Sequence, residues 1–380
     1  MKATATRTEK DTIVAGTLYL AFELSRKSWK LAFTTGLGQK PRQRTVTATE
    51  LGVLREELVK ARERFDLPAN APVVSCFEAG RDGFWLHRAL TKMGVHNLVV
   101  DSASIEVKRR ARHAKADALD AHKLLTMLIR YHLGEHKVWS VVNVPSTQAE
   151  DVRHLHRELQ ELKRERTRQI NRVKALLEAQ GLRLDGRCHI KVDLEKVRLW
   201  NGKPLPPYLK ERIQRLYERV AFLNEQIEQI RVRQAELLMT SPAPEIKQVR
   251  QLMLLKGIGP HSSWLYALEF FSWRKFRNRR EVGALAGLAP TPYQSGETSR
   301  DRGISKAGNR FIRAVAIQNA WAWLRFQPDS ALSRWYEERF GGGGSRLRRI
   351  GIVALARKLL IVLWRYVEFG EIPEGAVVLR

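Results

Sequence analysis

Four carboxylates occupy positions where an acidic side chain needs a reason. Glu23 lies near the end of the apolar run Thr17–Leu24, and Glu78 sits near the end of the run Val73–Ala79. An unpaired charge in an apolar strand is costly, so both positions point to chemistry. Asp117 and Asp120 are three residues apart, which puts them on one face if the segment is helical. Two strand ends and one helix face can converge at one edge of an α/β sheet. Carboxylates gathered there repel one another unless divalent cations neutralise them. Oxygen-only ligands select Mg²⁺ or Mn²⁺. Two such ions roughly 4 Å apart would activate a nucleophile and stabilise the leaving oxygen in phosphodiester cleavage. Alone, a carboxylate at a helix start reads as a cap or a solvated charge, so Asp117 and Asp120 gain meaning only beside Glu23 and Glu78. Asp101, at a third strand end, competes for a place in the set.

A second constellation is basic. Ser295 lies in a glycine-flanked stretch, Gly287–Gly308, with Arg300, Arg302, Lys306 and Arg310 nearby. Those cations would stabilise a pentavalent phosphate and lower the hydroxyl's pKa. No His–Asp pair is evident beside the serine, which argues against hydrolase triad chemistry. On local sequence alone Ser295 is an ordinary loop serine. Lys256-Gly257-Ile258-Gly259-Pro260 fits the turn of a helix-hairpin-helix, where glycines let backbone N–H groups approach a phosphate. It fits a plain helix–helix turn as well. Trp264, Trp273, Trp321, Trp323 and Trp335 read as core rather than as base-stacking platforms.

The elements that must position these residues follow from periodicity. Strand patterns cover Thr17–Leu24, Ser28–Thr34 and Arg44–Thr47, followed by a helix over Ala48–Phe65 with Leu51, Leu54, Leu58 and Ala61 at helical spacing. Strand Val73–Ala79, helix Phe84–Met93, strand His96–Asp101 and a helix over Asp117–Tyr131 complete the order βββαβαβα. That order predicts an α/β layer fold with a mixed sheet, the order in which ribonuclease-H-like folds are built. From Thr147 the pattern changes to two long charged helices, Gln148–Gln180 and Pro207–Leu238, with apolar seams suited to a helical hairpin or coiled coil. Their many Arg and Lys residues read most simply as a solvated face. The region from Glu245 is expected to be helical with glycine-rich turns, with Gly341–Gly344 as a flexible linker and a last helix over Arg346–Phe369. The expected domains are 1–146, 147–241 and 242–380.

Composition narrows the partner. The 380 residues carry 67 Lys+Arg against 40 Asp+Glu, a net charge of +27. Such an excess favours a polyanion, because each neutralised phosphate releases counterions. No run is apolar enough for a membrane span, since Arg357 and Lys358 interrupt the stretch from Ile350 to Tyr366. Two distant cysteines, Cys76 and Cys188, exclude a disulfide framework and make a cytoplasmic location the default.

At these residues the chain resembles the DEDD insertion-sequence transposases, the bridge-RNA-guided recombinases of the "IS one-ten" and "IS eleven-eleven" groups. The similarity runs through Phe22-Glu23-Leu24-Ser25 with Trp29, Cys76-Phe77-Glu78-Ala79-Gly80, and Lys115-Ala116-Asp117-Ala118-Leu119-Asp120-Ala121. It continues through Gly257-Ile258-Gly259-Pro260, Leu285–Pro290, Gln294-Ser295-Gly296 and Ile304–Asn309. Glu23 stands where the family usually has Asp, one methylene longer. The resemblance implies a RuvC-like N-terminal domain, a coiled coil for assembly into a dimer or tetramer, and a mostly helical C-terminal transposase domain. It implies Mg²⁺ on Glu23, Glu78, Asp117 and Asp120, with Ser295 attacking DNA to form a phosphoserine intermediate. It also implies an element-encoded non-coding RNA that pairs with donor and target DNA. Lys256, Gly257, Gly259, Arg300, Arg302, Lys306 and Arg310 are the expected nucleic-acid contacts. Two other readings of the same residues stand beside it. One is a junction-resolving nuclease without a covalent intermediate, and the other a non-catalytic nucleic-acid-binding protein.

Overall fold

Apolar runs rather than strict alternation mark the N-terminal strands, and a sheet covered on both faces is the reason. The computed structural model describes residues 16–80, 83–105, 117–182, 193–295 and 298–379, without the side chains of 117–120 and 292–302. The chain forms two compact units, Met1–Val144 with Trp273–Arg277, and Pro145–Ser272 with Asn278–Arg380.

The first unit is built on β1 (Leu18–Leu24), β2 (Ser28–Thr34), β3 (Arg42–Thr47), β4 (Val73–Glu78) and β5 (His96–Val100). Their order in the sheet is β3-β2-β1-β4-β5. β1 pairs antiparallel with β2 and parallel with β4, and β4 pairs parallel with β5, so the sheet is mixed as expected. Leu18, Leu20 and Phe22 of β1 pack with Leu54, Leu58 and Ala61 of α1 (Leu51–Arg64) and with Leu86 and Leu90 of α2 (Trp85–Lys92). The alternate residues Tyr19 and Ala21 pack on the other face beneath α3 (Asp117–His132), through Ala121, Leu124 and Leu128. The period of two therefore splits β1 between two cores.

In the second unit, α4 (Thr147–Glu178) and α5 (Pro207–Thr240) lie side by side and antiparallel. Leu159 packs with Ile227 and Ile230, while Val173 and Leu177 meet Ile213 and Leu216. Ser146 caps α4 by accepting from the Ala149 amide at 3.1 Å. After α6 (Pro244–Met253) and α7 (Pro260–Tyr266), a π-helical turn and α8 (Arg279–Leu285) lead into two strands, β6 (Pro290–Ser295) and β7 (Thr298–Ile304). The unit ends with α9 (Arg310–Phe326), α10 (Ala331–Tyr336) and α11 (Ser345–Phe369).

Three expectations change here. The glycine-rich stretch after Gly287 is an antiparallel strand pair rather than a turn between helices. Its prolines are tolerated because a register shift lies between Pro290 and Pro292 and the pair has free edges. Gly341–Gly344 is not a linker. Gly341 ends a π-helical turn, Gly344 caps α11, and a Cβ on Gly341 or Gly343 would collide with Glu337 or Leu347. Trp264 and Trp323 are core, but Trp321 is about half exposed.

One core residue carries a pH dependence. His156 of α4 is buried, stacks on Trp264 with ring planes 9° apart, and leaves both ring nitrogens without a hydrogen bond. Burial, then the neighbouring His261, Lys163 and Arg157, push its pKa down from 6.5 to about 3. Between those values the unfolded chain binds a proton that the folded chain does not, so stability falls as pH drops below 6.5. At pH 5 the expected loss is about 2 kcal/mol. Thermal unfolding at pH 7.5 and 5.0 should show a smaller acid shift in His156→Phe than in the parent. Equal shifts would remove His156 from the account.

Candidate functional site

The first constellation depends on which strands are neighbours. The β1–β4 ladder runs from Leu18↔Val73 to Phe22↔Phe77, so the next rung sets Glu23 beside Glu78 on strands about 4.8 Å apart. Glu23 follows Ala21 by two and Glu78 follows Cys76 by two. Both therefore lie on the face covered by α3. Glu78 is exposed and Glu23 half-buried, with Lys30 opposite Glu23 across the β1–β2 ladder. The Cys76 thiol is pushed up by burial and then by the Glu78 charge, as expected for two groups on one face.

The course of α3 brings a third element to this end of the sheet. Its last turn sits over the start of β1, where Tyr19 Oη and His132 Nδ1 are 2.7 Å apart. Further back along the helix, the Leu124 carbonyl lies 3.9 Å from Cys76 Sγ. The backbone of the first turn, residues 117–120, is thus directed toward the ends of β1 and β4. The side chains of Asp117 and Asp120 lie outside the described residues. Among the described residues no three His, Cys, Asp or Glu side chains form a metal-binding group.

Asp101 leaves the competition. It is buried, accepts from the Ala103 amide at 3.1 Å and pairs with Arg274 at 3.3 Å. Arg274 belongs to the strap Trp273–Arg277, which packs with the first unit. The Trp273 ring meets Phe84 at 6.3 Å, and the Trp273 carbonyl accepts from the Asn143 amide at 2.8 Å. Asp101 holds this strap, a role that sequence could not suggest because its partner is 173 residues away.

In the second unit the hairpin strands carry Ser295 at the end of β6, paired with Thr298, and Arg300 opposite Tyr293. Arg302 is also on β7. The side chains of Ser295, Arg300 and Arg302 lie outside the described residues. The base of the hairpin is closely fitted. The Ser305 and Lys306 amides donate to Ala289 and Gly287, and the Asn309 amide donates to Leu285. Gly308 has φ +129°, and a Cβ there would collide with the Leu285 carbonyl oxygen; one on Gly287 would lie 2.8 Å from the Ala307 carbonyl oxygen. Arg313 bonds the carbonyls of Ala286 and Lys306 and closes the same junction. Asn309 caps α9 through the Phe311 and Ile312 amides. Sequence reasoning missed Arg313, because an arginine on a helix reads as solvated. Lys306 and Arg310 are exposed at this base.

The turn between α6 and α7 is partly committed to the fold. The Lys256 amide donates to Val377 and its carbonyl accepts from Gln327 at 2.8 Å, so its backbone is not available to a phosphate. Gly257, at φ +94°, would place a Cβ 3.3 Å from Phe326. Gly259 caps α7, and the Lys256 side chain is exposed.

Comparison with known proteins identifies the family. A family model described as "Transposase IS116/IS110/IS902 family" matches residues 249–335, and a DEDD transposase model matches residues 25–180. The chain is 40% identical over 379 residues to the putative transposase y4rJ of Sinorhizobium fredii, covering 95% of this chain and 94% of that protein. It is 28% identical to the transposase for insertion sequence element IS1328 of Yersinia enterocolitica, over 57% of this chain and 63% of that one. Identity to the transposase for insertion sequence element IS1111A of Coxiella burnetii is 25%, over 73% of each chain. With a relative this similar along almost its whole length, the chain belongs to the IS116/IS110/IS902 family of insertion-sequence transposases.

Proposed function

We propose that this transposase cuts and rejoins DNA with Ser295 as nucleophile and with Glu23, Glu78, Asp117 and Asp120 as a metal-binding set, guided by an RNA encoded in its own element. The observation that carries the reading is the adjacency of Glu23 and Glu78 at parallel strand ends, on the face crossed by α3. Two like charges side by side on neighbouring strands fit an oxygen-ligated divalent cation, which relieves their repulsion. Bound there, Mg²⁺ or Mn²⁺ would supply charge neutralisation at a phosphodiester. The sheet order β3-β2-β1-β4-β5 suits a RuvC-like reading of this unit, and the packed α4–α5 pair suits a coiled coil that joins two or four copies.

The chain's own residues do the rest. The Ser295 hydroxyl attacks phosphorus, a serine–phosphate ester forms, and one deoxyribose oxygen departs. A DNA hydroxyl then displaces the serine and restores it. Arg300, Arg302, Lys306 and Arg310 balance the charge that builds on the phosphoryl oxygens. The glycine junction at Gly287 and Gly308 holds the base of the strand pair that carries the serine.

RNA guidance is tested by purifying the full chain through a high-salt wash and sequencing what stays bound. A single structured RNA, with loops that match the element's flanks and its insertion site, is the expected result. Random cellular RNA, or none, would remove the guide from the proposal and leave the DNA chemistry to be judged by the serine and carboxylate variants.

A further inference from the structure

Inside the second unit a groove runs between α4, α7 and α9. Gln160, Lys163 and Arg164 line one wall, and His261, Phe311 and Gln318 the other. Its polar groups are arranged toward an anion. Lys163 is partly buried, and among the described residues neither it nor Arg164 has a carboxylate within salt-bridge distance. Burial, then the nearby Arg231 and Arg166, lower the Lys163 pKa. Among the described residues this half-buried lysine beside arginines has no ion-pair partner, and no lining residue is acidic. Gln160 Nε2 donates to His261 Nδ1 at 3.0 Å. The neutral ring, its pKa lowered by burial and by Lys163, then carries its proton on Nε2 as a free donor.

The aromatic member separates backbone from base recognition. The Arg164 guanidinium lies 5.3 Å from the Phe311 ring centroid, and His261 meets the same ring edge-on at 6.1 Å. The ring is therefore occupied by protein and holds Arg164 in place instead of stacking on a base. Arg310, exposed at the start of α9, continues the positive charge toward the base of the Ser295 hairpin. We propose that this groove is a phosphodiester-binding track, in which Lys163, Arg164 and His261 Nε2 hold the backbone of a nucleic acid without reading its sequence. The inference uses the transposase's binding of nucleic acid and does not depend on the serine or metal assignments.

The test is equilibrium binding of the full chain, in EDTA, to a short duplex DNA and a single-stranded RNA of arbitrary sequence, across a salt series. Without metal no strand chemistry runs, so failure of the catalytic proposal and failure of this one are separable. Lys163→Gln with Arg164→Gln should reduce the slope of log K against log salt by about 1.8 on duplex, or about 1.4 on a single strand, and weaken binding about tenfold. The control pair Arg64→Gln with Lys92→Gln, exposed on the first unit, should leave the slope unchanged. If the double variant fails to fold, exposed Gln318 supplies the same information with opposite signs: Gln318→Lys should tighten binding and Gln318→Glu weaken it. A loss confined to the duplex identifies a DNA track, and a loss confined to the single strand identifies an RNA track; either supports the groove. An unchanged slope, or an equal fall in the control pair, overturns it.

Discussion

Ser295→Ala is expected to abolish strand exchange, with a rate loss on the order of 10⁴-fold or more, as when a covalent nucleophile is removed from an enzyme. The parent chain, mixed with element-end DNA and Mg²⁺, should yield a protein–DNA adduct that survives denaturing electrophoresis. The alanine variant should yield none. Because Ser295 ends a short strand whose base is fixed by Gly287, Gly308 and Arg313, removing its hydroxyl should leave that junction and the unfolding temperature unchanged. Adduct formation by the variant would refute Ser295 as nucleophile. Cutting without an adduct, in parent and variant alike, would favour the nuclease reading, in which the carboxylates activate water.

Glu78→Gln should cost on the order of 10²-fold or more in cutting rate, because a carboxylate ligand is lost where charge must be neutralised. Activity alone cannot separate a metal ligand from a structural side chain, so a second readout is needed. In EDTA, two like charges on adjacent strands oppose folding, and the neutral amide removes that repulsion. The variant should therefore be at least as stable as the parent without metal. Adding Mg²⁺ should raise the unfolding temperature of the parent, since a ligand bound only by the folded state stabilises it, and should raise that of the variant much less. A variant that unfolds early in EDTA, or that keeps the full Mg²⁺ shift, would refute the metal role. Glu23→Asp tests the extra methylene at the neighbouring position with the same two readouts.

What was legible in the sequence was local. The strand and helix segments of the first unit follow from short apolar runs and from the helical period of 3.6, which depend only on near neighbours along the chain. Glu23 and Glu78 stood out because each interrupts or ends an apolar strand. The likeness to a known family rested on short motifs that match residue by residue. The glycines of the hairpin base were visible too, but not their purpose, since Gly308 is required by a carbonyl of Leu285 on another element.

Tertiary structure decided everything that depends on distant pairing. That β1 lies between β2 and β4 sets Glu23 next to Glu78, and no periodicity encodes that order. Asp101 and Glu78 look alike in sequence as strand-end acids. Arg274, far along the chain, buries one in an ion pair and leaves the other exposed. The four consecutive glycines read as a linker because composition reports only freedom in the unfolded chain. In the fold Gly341 ends a π-helical turn and Gly344 caps α11, so the run joins two helices directly. Sequence thus determined the elements and the chemical types available, because both are properties of short segments. Only the fold determined which acids lie side by side at a sheet edge and which are buried in an ion pair, because that depends on partners that local pattern does not encode.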